Sequence, residues 1–161
     1  MTMRVGFGGG CHWCTEAVFQ SLTDVARVEQ GFIRSQPPAD SWSEAVIVHF
    51  EPGQIDLATL VEVHVRTHSS TANHSMRSKY RSAIYVFDDR QANEASAALS
   101  QLQPEFDGKL VTAVLEFVDF KVSVERFRNY YATDPDRPFC KRYIDPKLDI
   151  IQKKFAAQAL F

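Results

Sequence analysis

The sequence predicts an α+β fold in which a mixed sheet is covered by helices. Three observations carry that expectation. Short runs such as EAVIVHF (44–50) and RSAIYVF (81–87) have the length and the β-branched, aromatic content of strands. Other segments place apolar residues at helical spacing. The two kinds alternate along the chain, with connections of uneven length.

The elements follow in order. MRVGF (3–7) reads as a strand entering a glycine turn, and CHWCTEAVFQSL (11–22) as the next helix, with Ala17, Val18 and Leu22 on one face. EAVIVHF is a strand closed by EPGQ. In DLATLVEVHVRTH (56–68), Leu57, Leu60, Val61, His64, Val65 and His68 share a face, and Asp56 can cap the N-terminus. RSAIYVF is followed by an alanine-rich helix over 88–103, capped by Asp88 or Asp89. LVTAVLEFVDF (110–120) reads as one long strand and SVERFRNYY (123–131) as a short helix. From Ala132 the chain holds three prolines, which predicts an irregular surface tail as far as DIIQKKFAAQAL.

A chain of 161 residues is long enough for one domain with a hydrophobic core, and residues 1–161 are taken as a single unit. Eighteen basic residues against 20 acidic ones leave a net charge of −2, which speaks against nucleic acid or a membrane surface as partner. The first residues lack a long apolar stretch, so neither signal peptide nor membrane span is expected, and the cytoplasm is the expected location. Three cysteines do not make a disulfide scaffold.

The stretch GFGGGCHWCTEAVF (6–19) carries the chemistry. A strand, a glycine turn and a helix start would place Cys11 beside unpaired backbone N–H groups, which stabilise a thiolate. That makes Cys11 a candidate nucleophile, with Trp13 as an apolar wall. Cys11 and Cys14 also form a C-x-x-C pair, the pattern of a redox dithiol. A third reading joins them to His64, His68 and His74 as a zinc set, although the gap from Cys14 to His64 far exceeds that of a zinc finger. A fourth treats both cysteines as small buried residues.

GGGCHWCTEAVFQSL resembles the signature of the A-type peptide methionine sulfoxide reductases, G-C-F-W with a glutamate three residues after the tryptophan; Cys11, Trp13 and Glu16 match. SEAVIVHFEPGQIDLATLVEVHVRTH resembles the family's H-A-E-V-V strand and following helix, KYRSAIYVF its Q-Y-R-S-A-I strand, and NYYATDPDRPFCKRYIDPKL its cysteine-bearing tail. These matches run in order over nearly the whole chain.

The resemblance implies a ferredoxin-like two-layer sandwich with a mainly antiparallel sheet. It implies attack of the Cys11 thiolate on a sulfoxide sulfur, with Glu44 as the acid and Tyr80 as a further hydrogen bond to the oxygen. Cys140 matches the recycling cysteine and Cys14 is an auxiliary thiol, with thioredoxin or a similar reductant resetting the enzyme. It implies no bound cofactor and no metal. His12, Trp13 and Tyr130 would contact substrate.

The chain departs from the pattern in its substrate loops. His12 stands where the family has phenylalanine; it is expected to stack like that ring and bond a backbone carbonyl. IRSQPPADSWS (33–43) replaces a longer glycine-rich loop and brings no tyrosine. SSTANHSMRSK (69–79) lacks an expected aspartate, with His74 or Ser75 the nearest substitute.

Overall fold

A computed structural model describes residues 2–72 and 79–160. Strands β1 (Met3–Gly8), β2 (Val25–Arg34), β3 (Ser43–Phe50), β4 (Ala83–Val86), β5 (Ala113–Glu116) and β6 (Asp119–Val122) form one mixed sheet in the order β5-β4-β1-β3-β2-β6. Every pairing is antiparallel except β4 with β5. The helices are α1 (His12–Gln20), α2 (Leu57–Thr67), α3 (Asp89–Leu102), the single turn α4 (Tyr130–Thr133) and α5 (Asp145–Lys154). The α+β class expected from the sequence is therefore the one observed.

The sheet is rolled. Glu116 and Asp119 are three residues apart, a reach of at most about 11 Å. In a flat sheet of this order they would have to bridge about 24 Å. Consecutive residues instead bond to opposite halves of the sheet: the Phe117 N–H donates to Val86 at the end of β4, and the Val118 N–H to Arg34 at the end of β2. The segment read as one strand over 110–120 is thus two edge strands meeting at a corner. Ile33, Ala45, Ile47, Ala83 and Tyr85 fill the inner face with Phe87, Phe117 and Phe120. Gly6 belongs there because a Cβ on it would lie 2.9 Å from both Ile33 and Tyr85 side-chain atoms. The alternate residues of the same strands, among them Val5, Phe7, Val46, Val48 and Ile84, pack outward against Val18, Phe19, Leu60, Val61, Leu99 and Ile151 of the helices.

Local signals hold where they rest on capping. Asp56 accepts the Thr59 N–H at 2.8 Å and Asp88 the Gln91 N–H at 2.8 Å. Strand β2 carries no strand signal in the sequence; VARVEQGFIR mixes charge with apolar residues, and only Gln30, Gly31 and Ile33, all in its second half, are buried.

The tail corrects an expectation. It is neither irregular throughout nor confined to the surface, because Cys140–Ile144 forms one π-helical turn that runs into α5. Cys140 and Ile144 are fully buried, and with Leu148 they pack on Cys14 and Ala17 of α1. Pro146 does not break this helix, since it lies in the first turn, where no intrahelical N–H is needed.

Candidate active site

The site is built around the N-terminus of α1. Cys11 is the N-cap residue, with φ −59° and ψ 129°, and its carbonyl accepts the N–H groups of Cys14 (3.1 Å) and Thr15 (3.3 Å). Its side chain is half-buried. The Cys11 thiol is held below its ordinary pKa, chiefly because the Cys14 thiol donates to it and also because the backbone N–H groups of Trp13 and Cys14 point at the sulfur. Burial and the charge of Glu44 oppose that shift. Cys14 is pushed up strongly, since its thiol holds its proton in the hydrogen bond it donates to Cys11 and is buried. Among the described residues all three cysteines are free thiols, and Cys11, Cys14 and Cys140 share one apolar cluster. Burial also pushes the Cys140 thiol up.

On the tail side, Trp13 stacks on Tyr130 with ring centroids 4.1 Å apart and planes 4° from parallel, and Phe139 meets Trp13 edge-on at 5.4 Å. The Arg137 guanidinium covers Tyr130, 4.0 Å from its centroid. Glu16 secures this wall from below. Its buried carboxylate accepts the Asn129 N–H at 2.9 Å, the Tyr130 N–H at 3.2 Å and the Gln30 side chain at 3.0 Å, while burial raises its pKa.

On the sheet side, Glu44 is buried at the start of β3 and accepts the His12 backbone N–H at 3.2 Å. The His12 ring nitrogen Nδ1 lies 2.8 Å from the Gly31 carbonyl, and Phe32 meets the ring edge-on at 5.2 Å. His12 thus bonds a backbone carbonyl, as expected of it, but meets the neighbouring ring edge-on rather than stacked. The Glu44 N–H donates to the Lys79 carbonyl at 2.8 Å, which fixes Tyr80 beside β3; the Lys79 ammonium lies 3.8 Å from Glu44 Oε2 and 5.2 Å from the Tyr80 ring. Lys79 is pushed up first by its hydrogen bond with Tyr80.

Behind Cys11 lies a cavity of about 50 Å³ bordered by Cys11, Cys14, His64, Thr67, His68 and Lys147. The histidines serve structure here. His64 Nε2 lies 2.7 Å from the Gly8 carbonyl, and His68 Nε2 lies 2.8 Å from Ser82 Oγ. Among the described residues no cluster of three His, Cys, Asp or Glu side chains is placed to hold a metal ion, so the zinc reading finds no support there. His74 and Ser75 lie outside the described residues.

Three contributors escaped the sequence reading. Lys147 bonds the Thr67 carbonyl beside the thiols, with its pKa lowered by burial; it is the lysine of the DPKL stretch, whose match in the tail was the available signal. Arg81 ties the 35–42 loop down through Ser41 (3.0 and 3.1 Å) and Tyr85 (3.1 Å). Lys79 replaces the glutamine of the Q-Y-R-S pattern.

A low-pKa cysteine at a helix start, flanked by a buried carboxylate and two further thiols, defines a thiol-based redox site. The family model described as peptide methionine sulfoxide reductase matches residues 3–159. A peptide methionine sulfoxide reductase MsrA of Chromobacterium violaceum is 32% identical, over 92% of this chain and 94% of that one. The chain belongs to the peptide methionine sulfoxide reductase family. Mxr1 of Saccharomyces cerevisiae in reduced form superposes with a TM-score of 0.72 at 22% identity, over 84% of this chain and 87% of that one. Mxr1 in complex with Trx2 gives 0.65 at 19%, over 78% and 84%.

Proposed function

We propose that this chain is a single catalytic domain that reduces methionine-S-sulfoxide with thiol electrons. The observation that carries the reading is Cys11, held toward its thiolate at the start of α1 with the Glu44 carboxyl bonded to the next residue's N–H. The Cys11 sulfur attacks the sulfoxide sulfur while Glu44 supplies a proton to the oxygen and Tyr80 a hydrogen bond. Trp13 and Tyr130 form the apolar wall for the substrate's methyl group. Methionine leaves and Cys11 remains as sulfenic acid, which condenses with a second thiol to a disulfide and water. We assign that thiol to Cys140, with Cys14 tuning Cys11. Thioredoxin or a similar dithiol then returns the enzyme to its reduced form; Mxr1 supports this as a relative of the same fold seen with Trx2. The chemistry needs no bound cofactor or metal. Among the described residues no helix is long and apolar enough to cross a membrane, and we place the protein in the cytoplasm.

A single-turnover assay tests the reading. Reduced protein is mixed with a peptide containing methionine-S-sulfoxide, and both are weighed intact before and after. The peptide should lose one oxygen and the protein two hydrogens; an unchanged peptide in the presence of reduced Cys11 overturns the reading. His12 and the short 33–43 loop support a second possibility, a small non-peptide sulfoxide. Relative rates on peptide, free amino acid and non-amino-acid sulfoxides decide between them.

A further inference from the structure

His12 is the residue at which this chain leaves the family pattern closest to the reacting atoms, and its surroundings do more than replace a phenylalanine. Its Nδ1 lies 2.8 Å from the Gly31 carbonyl, and a carbonyl can only accept, so Nδ1 carries a proton. The other ring nitrogen, Nε2, lies 3.5 Å from Glu44 Oε1, the oxygen that also accepts the His12 backbone N–H. The side chains of this pair are 8% and 10% exposed.

These facts restrict where protons can sit. With Nδ1–H committed to Gly31, Nε2 is either a lone pair or an N–H. If the pair carried no proton on its facing atoms, a lone pair would meet a carboxylate oxygen out of water, two acceptors with no donor between them. One proton on either atom removes that conflict. The ring cannot turn away easily. Phe32 abuts it and pairs directly across from Glu44 in the β2–β3 register. Gly31 lies so close under β6 that a Cβ on it would collide with the Lys121 carbonyl.

We propose that His12 and Glu44 act as one proton-holding pair, in which His12 is a positioning residue that keeps Glu44 supplied with the proton the sulfoxide oxygen requires. The inference rests on the sulfoxide-reductase reading. As the Cys11 Sγ bonds to the substrate sulfur, the pair's one proton, whether on Glu44 or on Nε2, passes through the Glu44 carboxyl to the oxygen. The hydroxyl then moves from the substrate sulfur to Cys11 Sγ, as the S–O bond and the new Sγ–sulfur bond both break. Cys11 is left as sulfenic acid, oxidised by two electrons, and the thioether is reduced by two. Water restores the proton to the pair.

The charged groups around the pair act in both directions. Cys11 and the buried Glu16, both on α1, favour a proton on the pair; Glu16 responds to charge on His12. The Lys79 ammonium faces the carboxyl from the other side, 3.8 Å from Oε2. Lys121 of β6 lies over the rings of Trp42 and Phe32, 4.5 and 5.6 Å from their centroids.

His12→Phe restores the family residue, keeps a flat ring and removes the proton. Single-turnover reduction of the methionine-S-sulfoxide peptide is followed from pH 5.5 to pH 8.5 with wild type and variant. The expected deficit of the variant grows with pH, from under about twofold in acid to about tenfold or more at the alkaline end. A wild-type-to-variant ratio independent of pH, or a change in KM alone, overturns the proposal. Nitrogen-15 NMR of the imidazole in the intact wild type gives a test that does not depend on the variant's folding. Nδ1 should remain protonated throughout, and protonation of Nε2 should shift in Glu44→Gln. A neutral tautomer with the proton on Nε2 overturns the proposal. Absence of sulfoxide reduction by the wild type overturns the enzymatic reading instead, and the NMR result still decides the pair.

Discussion

The two sides of Cys11 are built differently. The sheet side consists of hydrogen-bonded polar groups on and beside β2 and β3: Glu44, the Gly31 carbonyl, His12 of α1 and the Lys79–Tyr80 segment. The tail side is apolar and sulfur-rich: Cys14, Cys140, Phe139 and the Trp13–Tyr130 stack. In the proposed mechanism, proton handling and sulfur handling are thereby separated. A proton donor needs fixed geometry within about 3 Å of its target, which a paired strand supplies. A thiol that must meet a sulfenic acid needs approach and exchange, which a short turn joined to the sheet by few bonds permits. The π-helical turn at Cys140 fits this division, since such turns recur where a helix serves function.

The division breaks first, and most visibly, at Cys140. Cys140→Ser should abolish turnover with thioredoxin yet leave one stoichiometric reduction, read by intact mass. If Cys14→Ser has that effect and Cys140→Ser does not, the recycling role belongs to Cys14. Glu16→Ala comes next. It strips acceptors from the Asn129 and Tyr130 N–H groups, at a cost of about 1–3 kcal/mol in urea unfolding. It should also raise KM, because Tyr130 loses its anchor beneath Trp13, and an unchanged KM would show that the wall stands without Glu16.

A smaller effect is expected from Cys14→Ala. Losing the thiol that donates to Cys11 raises the Cys11 pKa, so less thiolate is present at neutral pH. Iodoacetamide alkylation of Cys11 at pH 7 should slow severalfold, with the loss recovered at higher pH. The smallest lies outside both sides. Asp56→Ala removes the α2 cap and should cost about 1 kcal/mol of stability. Hydrogen bonds from the Thr59 hydroxyl and N–H hold the Asp56 carboxyl below its usual pKa. Its contribution is present above about pH 4 and lost as pH falls through the folded-state value, so wild type and variant should converge in acid. Activity should be unaffected.

Much of the site was legible because its residues cluster in the chain. Cys11, His12, Trp13, Cys14 and Glu16 fall within six consecutive positions, and a glycine turn before a helix start already implies N–H groups directed at Cys11. Glu44, Tyr80 and Cys140 came from ordered matches to family motifs, since a lone glutamate at a strand start carries no chemical signature. Lys147 was read as part of a motif without a role, because nothing local says that a lysine on the last helix turns inward toward thiols.

The sequence by itself determined the alternation of helices and strands, the cap at Asp56, a cap at Asp88 or Asp89, and a cysteine at a helix start after a glycine turn. Each depends on neighbours a few residues away, through hydrogen bonds and periodicity that the local chain completes. Only the tertiary structure decided that residues 110–120 divide into two edges of a rolled sheet, that the tail buries Cys140 against Cys14, and that the imidazole of His12 faces Glu44. Those outcomes depend on groups tens of residues apart. They are settled by which apolar surfaces close together, and by which buried polar atoms must then find partners.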